Sequence, residues 1–218
     1  MFIALVVAAG AVALASLFFS RNARIIRSLR TTPQRRIESF SEEEVAKIVG
    51  TLQYIGDPLI SPLTGRHCAY YEIHVDEHYG GNNAQWHTMI RESVGVEFEV
   101  DDGTGKAVVD PMSAMIAIVV DSHTRSGTLD SPTGREVAYL ESHQRKSKGW
   151  FLNKKIRYRE GILESGELVA IMGRGTRETD IAAGSQGERG YRDAPAMRLR
   201  MQSPEKTPMK ISDNPSAR

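Results

Sequence analysis

The sequence predicts a mainly β domain, a compact barrel or sandwich with one or two short helices, preceded by an N-terminal transmembrane helix. Two observations predict this arrangement. Residues 2–19 form an 18-residue run without a charged side chain. The rest of the chain alternates apolar and polar residues in short segments separated by Gly, Pro and Asp, which is typical of half-buried strands. A compact β architecture hides the edges of many short strands.

The apolar run is long enough to cross a bilayer. As a helix it would rise roughly 27 Å, close to the ~30 Å of a hydrocarbon core. A cleaved signal peptide is the alternative, and that class has a basic n-region and a small-residue cleavage site. Here no basic residue precedes Phe2, and the run ends in Leu17, Phe18 and Phe19. These features favour an anchor over residues 1–20.

An arginine-rich segment, 21–39, follows the apolar run and is predicted to lie beside the membrane. Its arginines are Arg21, Arg24, Arg27, Arg30, Arg35 and Arg36. The positive-inside rule places the following chain in the cytoplasm. Ile25, Ile26 and Leu29 are interleaved with the first four arginines, so the helix could continue along the headgroups, with those four contacting anionic lipid. A stop-transfer flank without lipid specificity is the alternative.

Composition limits the function classes. The net charge is +1, and six arginines lie beside the predicted anchor, so the remaining chain is slightly acidic. A general nucleic-acid binder would carry a basic face. Cys68 is the single cysteine, which excludes an intramolecular disulfide and a thiolate zinc site. We predict no cofactor.

The β domain is predicted over residues 40–212. Strands are expected at 45–55, 68–78, 86–93, 96–100, 107–109, 115–120, 156–160, 168–173 and 197–201, and a helix at 134–146. A flexible loop is expected at 174–195 and a disordered tail at 213–218. The hairpin turn 101–105 contains Asp and Gly, which tolerate the left-handed conformations of tight turns. This hairpin resembles one found in OB-fold barrels.

No catalytic motif is found. The sequence lacks a Gly-x-Ser-x-Gly elbow, a phosphate loop and a His-Glu-x-x-His pair. His74, Asp76 and His78 share one strand face, and His87 could lie opposite them, as in a metal site. The same spacing is typical of a solvated strand face, and we predict no metal there.

A basic and aromatic segment is the candidate contact surface. Its members, together with the first arginines of the chain, are the predicted partner or lipid contacts: Lys148, Trp150, Phe151, Lys154 and Lys155. Such a segment could bind single-stranded nucleic acid. Alternatively it is a solvated loop that reaches towards an anionic membrane.

Four motifs in order resemble the GIDE, or "beside-a-membrane", domain of the mitochondrial ubiquitin ligase activator family and its bacterial relatives. They are SPLTGRHCAYY at 61–71, VDDGTGKAVVDP at 100–111, RYREGIL at 157–163, and the segment from Gly166-Glu167 to Gly173. Together they lie within residues 45–212.

The resemblance implies a single-pass protein of the bacterial inner membrane. It implies a binding, scaffolding or sensory module whose partners are the lipid bilayer and another membrane-associated protein, with no nucleic acid. Eukaryotic members carry a RING domain, and ubiquitin ligase activity is therefore the alternative. One cysteine cannot supply the ligands of a RING, so we predict no intrinsic catalysis.

The arginine flank predicts the topology. Alkaline phosphatase fused after Arg218 should be inactive in a bacterial host, because the enzyme folds only outside the cytoplasm. The same fusion behind a cleavable secretion signal is the positive control. Strong periplasmic activity of the direct fusion would contradict the assignment.

Overall fold

The structure is a computed structural model that describes residues 21–79, 85–126, 132–143, 155–180 and 196–218. The predicted membrane helix and most of the predicted 174–195 loop lie outside these residues. Within the described ranges, no helix is both long and apolar enough to cross a membrane.

The described chain is mainly β. Helix α1 covers residues 21–31, and α2 is Gly134–Ser142. The strands are β1 (Val45–Tyr54), β2 (Leu59–Ile60), β3 (His67–Cys68), β4 (Tyr70–Tyr79), β5 (Gln85–Gly95), β6 (Phe98–Asp101), β7 (Lys106–Val109), β8 (Ala114–Ala117), β9 (Ser122–Ser126), β10 (Ile156–Leu163), β11 (Leu168–Thr179), β12 (Met197–Gln202) and β13 (Met209–Ser212). Sequence patterning did not predict β2, β9 or β13.

Five strands close a barrel, which confirms the predicted mainly β class. The order is β1-β6-β7-β12-β11, and β11 returns to β1. Neighbours are antiparallel except β7 and β12, which are parallel. Closure depends on β11, a strand of 12 residues, because its first half pairs with β1 and its second half with β12. Strands β13 and β8 extend the sheet beside its first half.

Both faces of β11 are covered. Val169 and Ile171 are fully buried in the barrel core, whereas Ala170 and Met172 are buried on the outer side. A strand covered on both faces has a continuous apolar sequence rather than an alternating one. This explains the unbroken run at 168–172.

A second sheet has the order β5-β4-β10-β9. Helix α2 packs on one of its faces, where Tyr139 and Leu140 join Ile73 and Tyr158 in a buried cluster. Thr133 begins the helix with a capping box completed by Glu136. The predicted helix is thus confirmed from residue 134 to 142, and residues 144–146 lie outside the described ranges.

Helix α1 packs against the β domain rather than along lipid headgroups. Ile25 and Leu29 are buried against Ala170, Met172 and Ala217. The interleaved apolar side chains therefore fill a protein interface, and the expectation that they face the headgroups is wrong for these two. Helix α1, which precedes the domain boundary predicted at residue 40, shares a core with the β domain.

The turn of the β6–β7 hairpin holds the chain that follows α1. The Asp102 carboxylate accepts hydrogen bonds from the backbone N–H of Ile37 at 2.8 Å and of Thr104 at 2.9 Å. Burial alone would raise the pKa of Asp102, but these bonds outweigh it and lower that pKa. Gly103 has a φ of 81°, a left-handed conformation that glycine adopts without strain.

Two further predictions are corrected. Residues 174–179 continue β11, so the loop predicted from residue 174 does not begin there; residues 181–195 lie outside the described ranges. The tail predicted to be disordered contains a 3-10 turn, Pro215–Ala217, and Ala217 is buried. The Lys47 ammonium donates to the Ala217 carbonyl oxygen at 3.3 Å, which fixes this turn against β1.

Leu29→Ala should lower the unfolding free energy by about 2–5 kcal/mol, because Leu29 is fully buried and a leucine-to-alanine change leaves a cavity. Urea denaturation of a 21–218 fragment measures it, and Arg30→Ala, an exposed neighbour, is the control. Equal stability of the two variants would show that α1 is not part of the folded unit.

Candidate functional site

The second sheet turns one polar face away from α2. Along β4, Ile73 and Val75 are buried beneath the helix. Successive side chains of a strand point to opposite faces, so Glu72, His74 and Asp76 lie on the other side. We call this side the polar face. Its described members are Glu72, His74, Asp76, His78, Trp86, Thr88, Arg91, Ser93, His123, Arg157 and Arg159.

Asp76 is the centre of the polar face. It is 2% exposed, and its Oδ2 accepts from Arg157 Nη2 and Arg159 Nη2, each at 2.8 Å. Thr88 donates to its Oδ1 at 2.9 Å. Burial alone would raise the pKa of Asp76, but the bonds from Arg157 and the charge of Arg159 lower it overall. Two guanidinium groups therefore share this one carboxylate.

An aromatic side chain completes this end of the face. The Arg157 guanidinium carbon lies 4.6 Å from the centre of the Trp86 ring, within the range of a cation–π contact. His78 meets the same ring edge-on at 5.0 Å. Trp86 is nevertheless 38% exposed. We call Asp76, His78, Trp86, Arg157 and Arg159 the distal patch.

The opposite end of the polar face, nearer to α1, is more evenly balanced in charge. Glu72 accepts from Arg91 Nη2 at 2.9 Å, and its Oε1 lies 2.9 Å from His74 Nε2. Burial acts to raise the pKa of Glu72, but the contacts with His74 and Arg91 lower it overall. Glu72 is therefore charged at neutral pH.

The start of the described α1 lies against this proximal end. Arg21 lines one small cavity together with Glu72 and Arg91. Asn22 lines a second cavity with Glu72 and Arg159. Arg21 follows the apolar run 2–19 after one intervening residue, so this end of the polar face lies close to that run in the sequence.

A glycine permits the close crossing at this end. Residues 118–119 pass over β10 at Gly161, where an added Cβ would lie 2.7 Å from the Val119 carbonyl oxygen. No larger residue would fit without displacing that backbone. The crossing brings Val120, which is 44% exposed, to the rim of the second cavity.

The predicted contact residues are only partly brought together. Arg24, Arg27 and Arg30 are exposed along α1, whereas Arg21 is half-buried at the proximal end. Lys155 is exposed, and its carbonyl oxygen accepts from the His78 backbone N–H at 2.9 Å beside the distal patch. The other members of the predicted segment lie outside the described residues: Lys148, Trp150, Phe151 and Lys154.

The candidate metal set does not converge. His87 is opposite Glu77 in the β4–β5 register, so it lies on the face opposite to Asp76 and His78. Within the described ranges, no group of three or more His, Cys, Asp or Glu side chains could hold a metal ion. The histidines of β4 instead take part in ion-pair and ring contacts of the polar face.

The turn motif at 61–66 has a structural partner. Glu160 is 1% exposed and accepts from the backbone N–H groups of Leu63 at 3.0 Å and Thr64 at 3.1 Å. The Thr64 and Ser61 hydroxyls donate to its Oε2 at 2.6 and 3.1 Å. A buried carboxylate needs such donors, so the turn and β10 depend on each other.

Cys68 is buried beneath α2. Burial is the largest cause that raises the pKa of its thiol to about 12. A reactive cysteine is normally exposed and has a depressed pKa. The environment of Cys68 is therefore that of a core residue.

Sequence reasoning missed Trp86, Arg91 and Arg159 as members of one surface. The available signal was the charge pattern of two strands: arginines at every second position of β10, and a carboxylate and two histidines at every second position of β4. Pairing these strands required the register of Asp76 with Arg157, which sequence alone does not specify.

Comparison of the chain with family models, with curated proteins and with solved structures gave no match.

Asp76→Asn should destabilise the fold by about 1–3 kcal/mol at neutral pH, because two arginines lose a buried partner. The expected loss lies below that of a fully buried pair because both arginine side chains are 22% exposed. Asp57→Asn, in an exposed turn, is the control.

The stability difference should depend on pH. The folded-state pKa of Asp76 is depressed, so its contribution is complete above its unfolded-state pKa of about 3.9 and is lost as the pH falls through the lower folded value. Urea denaturation of wild type and variant should therefore converge below about pH 4. A constant difference from pH 7 to pH 3 would contradict the assigned charge state.

Proposed function

We propose that the chain is a non-catalytic, GIDE-like binding module, anchored by its apolar segment in a bacterial inner membrane with its β domain on the cytoplasmic side. Its binding surface is the polar face, and its partner is another membrane-associated protein. The observation that carries this proposal is the distal patch, in which an exposed tryptophan stacks under Arg157 and two arginines share Asp76. Tryptophan and arginine are the side chains enriched in binding hot spots.

The packing of α1 supports a role beside the membrane. Because Ile25 and Leu29 are buried in the domain, the domain cannot turn freely on a flexible linker. The polar face is therefore held at a defined position relative to α1, which follows the apolar segment in the sequence. Such confinement raises the effective concentration of the face for a partner in the same membrane.

The preformed contacts favour binding of a partner with acidic groups. Arg157 and Arg159 are fixed by Asp76 before any partner arrives, so little side-chain entropy remains to be lost. A carboxylate of the partner would meet two guanidinium groups already held side by side. The ring of Trp86 supplies apolar contact area beside it.

The barrel order supports an OB-like architecture, since five strands close with one parallel pair, β7 with β12. OB folds that bind single strands use the face of their second and third strands, here β6 and β7. That outer face contains Glu99, paired with Lys106 at 2.6 Å. Nearby, Arg200 is paired with Glu97 and Glu178. A neutralised face of this kind does not favour a nucleic-acid backbone.

Ubiquitin ligase activity, the other alternative from the resemblance, gains no support. A ubiquitin ligase that works through a thioester intermediate needs a reactive cysteine. Cys68 has the environment of a core residue. We therefore propose binding rather than transfer chemistry.

A photo-crosslinking residue in place of Trp86 tests the binding surface in the full chain in native membranes. We expect one discrete protein adduct, reduced roughly tenfold or more when Arg157 and Arg159 are both changed to Gln, as expected for hot-spot residues. The matched control is the same residue at Ile60, which is 60% exposed and lies outside the second sheet. No adduct at position 86, or equal adducts at both positions, would contradict the proposal.

A further inference from the structure

The cavity at the proximal end of the polar face has the features of an anion site. Its volume is about 100 Å³, roughly that of three waters at about 30 Å³ each. Two arginines, Arg21 and Arg91, line it together with the hydroxyl-bearing residues Tyr70 and Ser93. The space suits a phosphate group, and the donors match its oxygen atoms.

The donors of this cavity are only partly used. Arg91 donates to Glu72 through Nη2, and its side chain is 47% exposed. Arg21 makes no ion pair within the part of the chain that the structure describes. The one carboxylate of the cavity, Glu72, is already contacted by both His74 and Arg91. Two guanidinium groups therefore face one neutralised carboxylate, and an added anion would meet net positive charge.

Exposed apolar side chains flank the same place. Met112 is 54% exposed and lines the cavity. Val119 and Val120 are 41% and 44% exposed, and Val120 lines the neighbouring cavity beside Asn22. Apolar side chains next to arginines and a phosphate-sized cavity match the boundary between headgroups and acyl chains. In the sequence, the apolar run 2–19 ends two residues before Arg21.

We propose that the cavity lined by Arg21, Tyr70, Arg91 and Ser93 binds the phosphate of an anionic phospholipid headgroup, while Met112 and Val120 insert into the bilayer interface. The occupant is a bilayer lipid rather than a soluble phosphate, because Arg21 lies two residues beyond the apolar run in the sequence and exposed apolar side chains flank the site. The inference rests on the proposed membrane attachment. To that attachment it adds a lipid that the domain recognises and a fixed orientation of the domain. In this orientation the distal patch lies farther from the bilayer than the cavity does.

The test uses the full chain in nanodiscs of phosphatidylcholine, with or without phosphatidylglycerol. Amide hydrogen exchange reports on residues 91–95 and 111–116. We expect phosphatidylglycerol to slow amide exchange in both segments. The double variant Arg21→Gln, Arg91→Gln should reduce that protection, roughly fivefold for each arginine. Arg135→Gln with Lys206→Gln removes the same charge from exposed positions outside α1 and the cavity and should leave the protection unchanged.

Each other outcome overturns the inference. Equal loss in the two double variants would mean general electrostatic attraction, and equal protection by inorganic phosphate in phosphatidylcholine nanodiscs would mean a free-anion site. If the chain inserts stably but phosphatidylglycerol adds no protection, the lipid site is refuted and the proposed anchor is not. A chain that does not remain in the nanodiscs would refute both this inference and the proposed anchor.

Discussion

The structure depends on the pairing of a single long strand. β11 closes the barrel through β1 and β12, and its other contacts reach β13 and, on the outer side, α1. From Val169 to Met172 it is buried on both faces, so a polar side chain at any of these positions would be buried at a cost in free energy. The two layers that meet on β11, the barrel core and the α1 interface, therefore form together.

Carboxylates that are buried or half-buried join the segments that strand pairing leaves separate. Asp102 holds the chain after α1 to the β6–β7 turn, and Glu160 holds the 61–66 turn to β10. Asp76 joins two arginines of β10 to β4 and β5. Each carboxylate is satisfied by several donors, which is the condition under which a buried charge is tolerated. The first two belong to motifs of the GIDE resemblance, and their role here is to fix loops.

The polar face exists because the two sides of the second sheet have different roles. One side of the second sheet is covered by α2 and supplies a core, which frees the other side to carry charge. The face has an aromatic and arginine-rich distal end and a proximal end adjoining Arg21. The six residue steps from Glu72 to His78 along an extended strand span about 20 Å. A membrane contact at one end and a protein contact at the other are therefore compatible.

The sequence by itself determined the β class, most strands, the helix that begins at Gly134 and the β6–β7 turn, because period-two alternation, a segment without helix breakers and an Asp-Gly turn are local signals. Tertiary structure alone decided three features. An apolar side chain on α1 can be buried either in lipid or in protein, and the sequence does not distinguish the two. Only the packing showed that Ile25 and Leu29 belong to the domain. Strand register placed Asp76 beside Arg157 and Trp86. The short strand β13 and the turn at Ala217 are held by segments far away in the sequence. The local sequence does not specify which distant segment will pair with it.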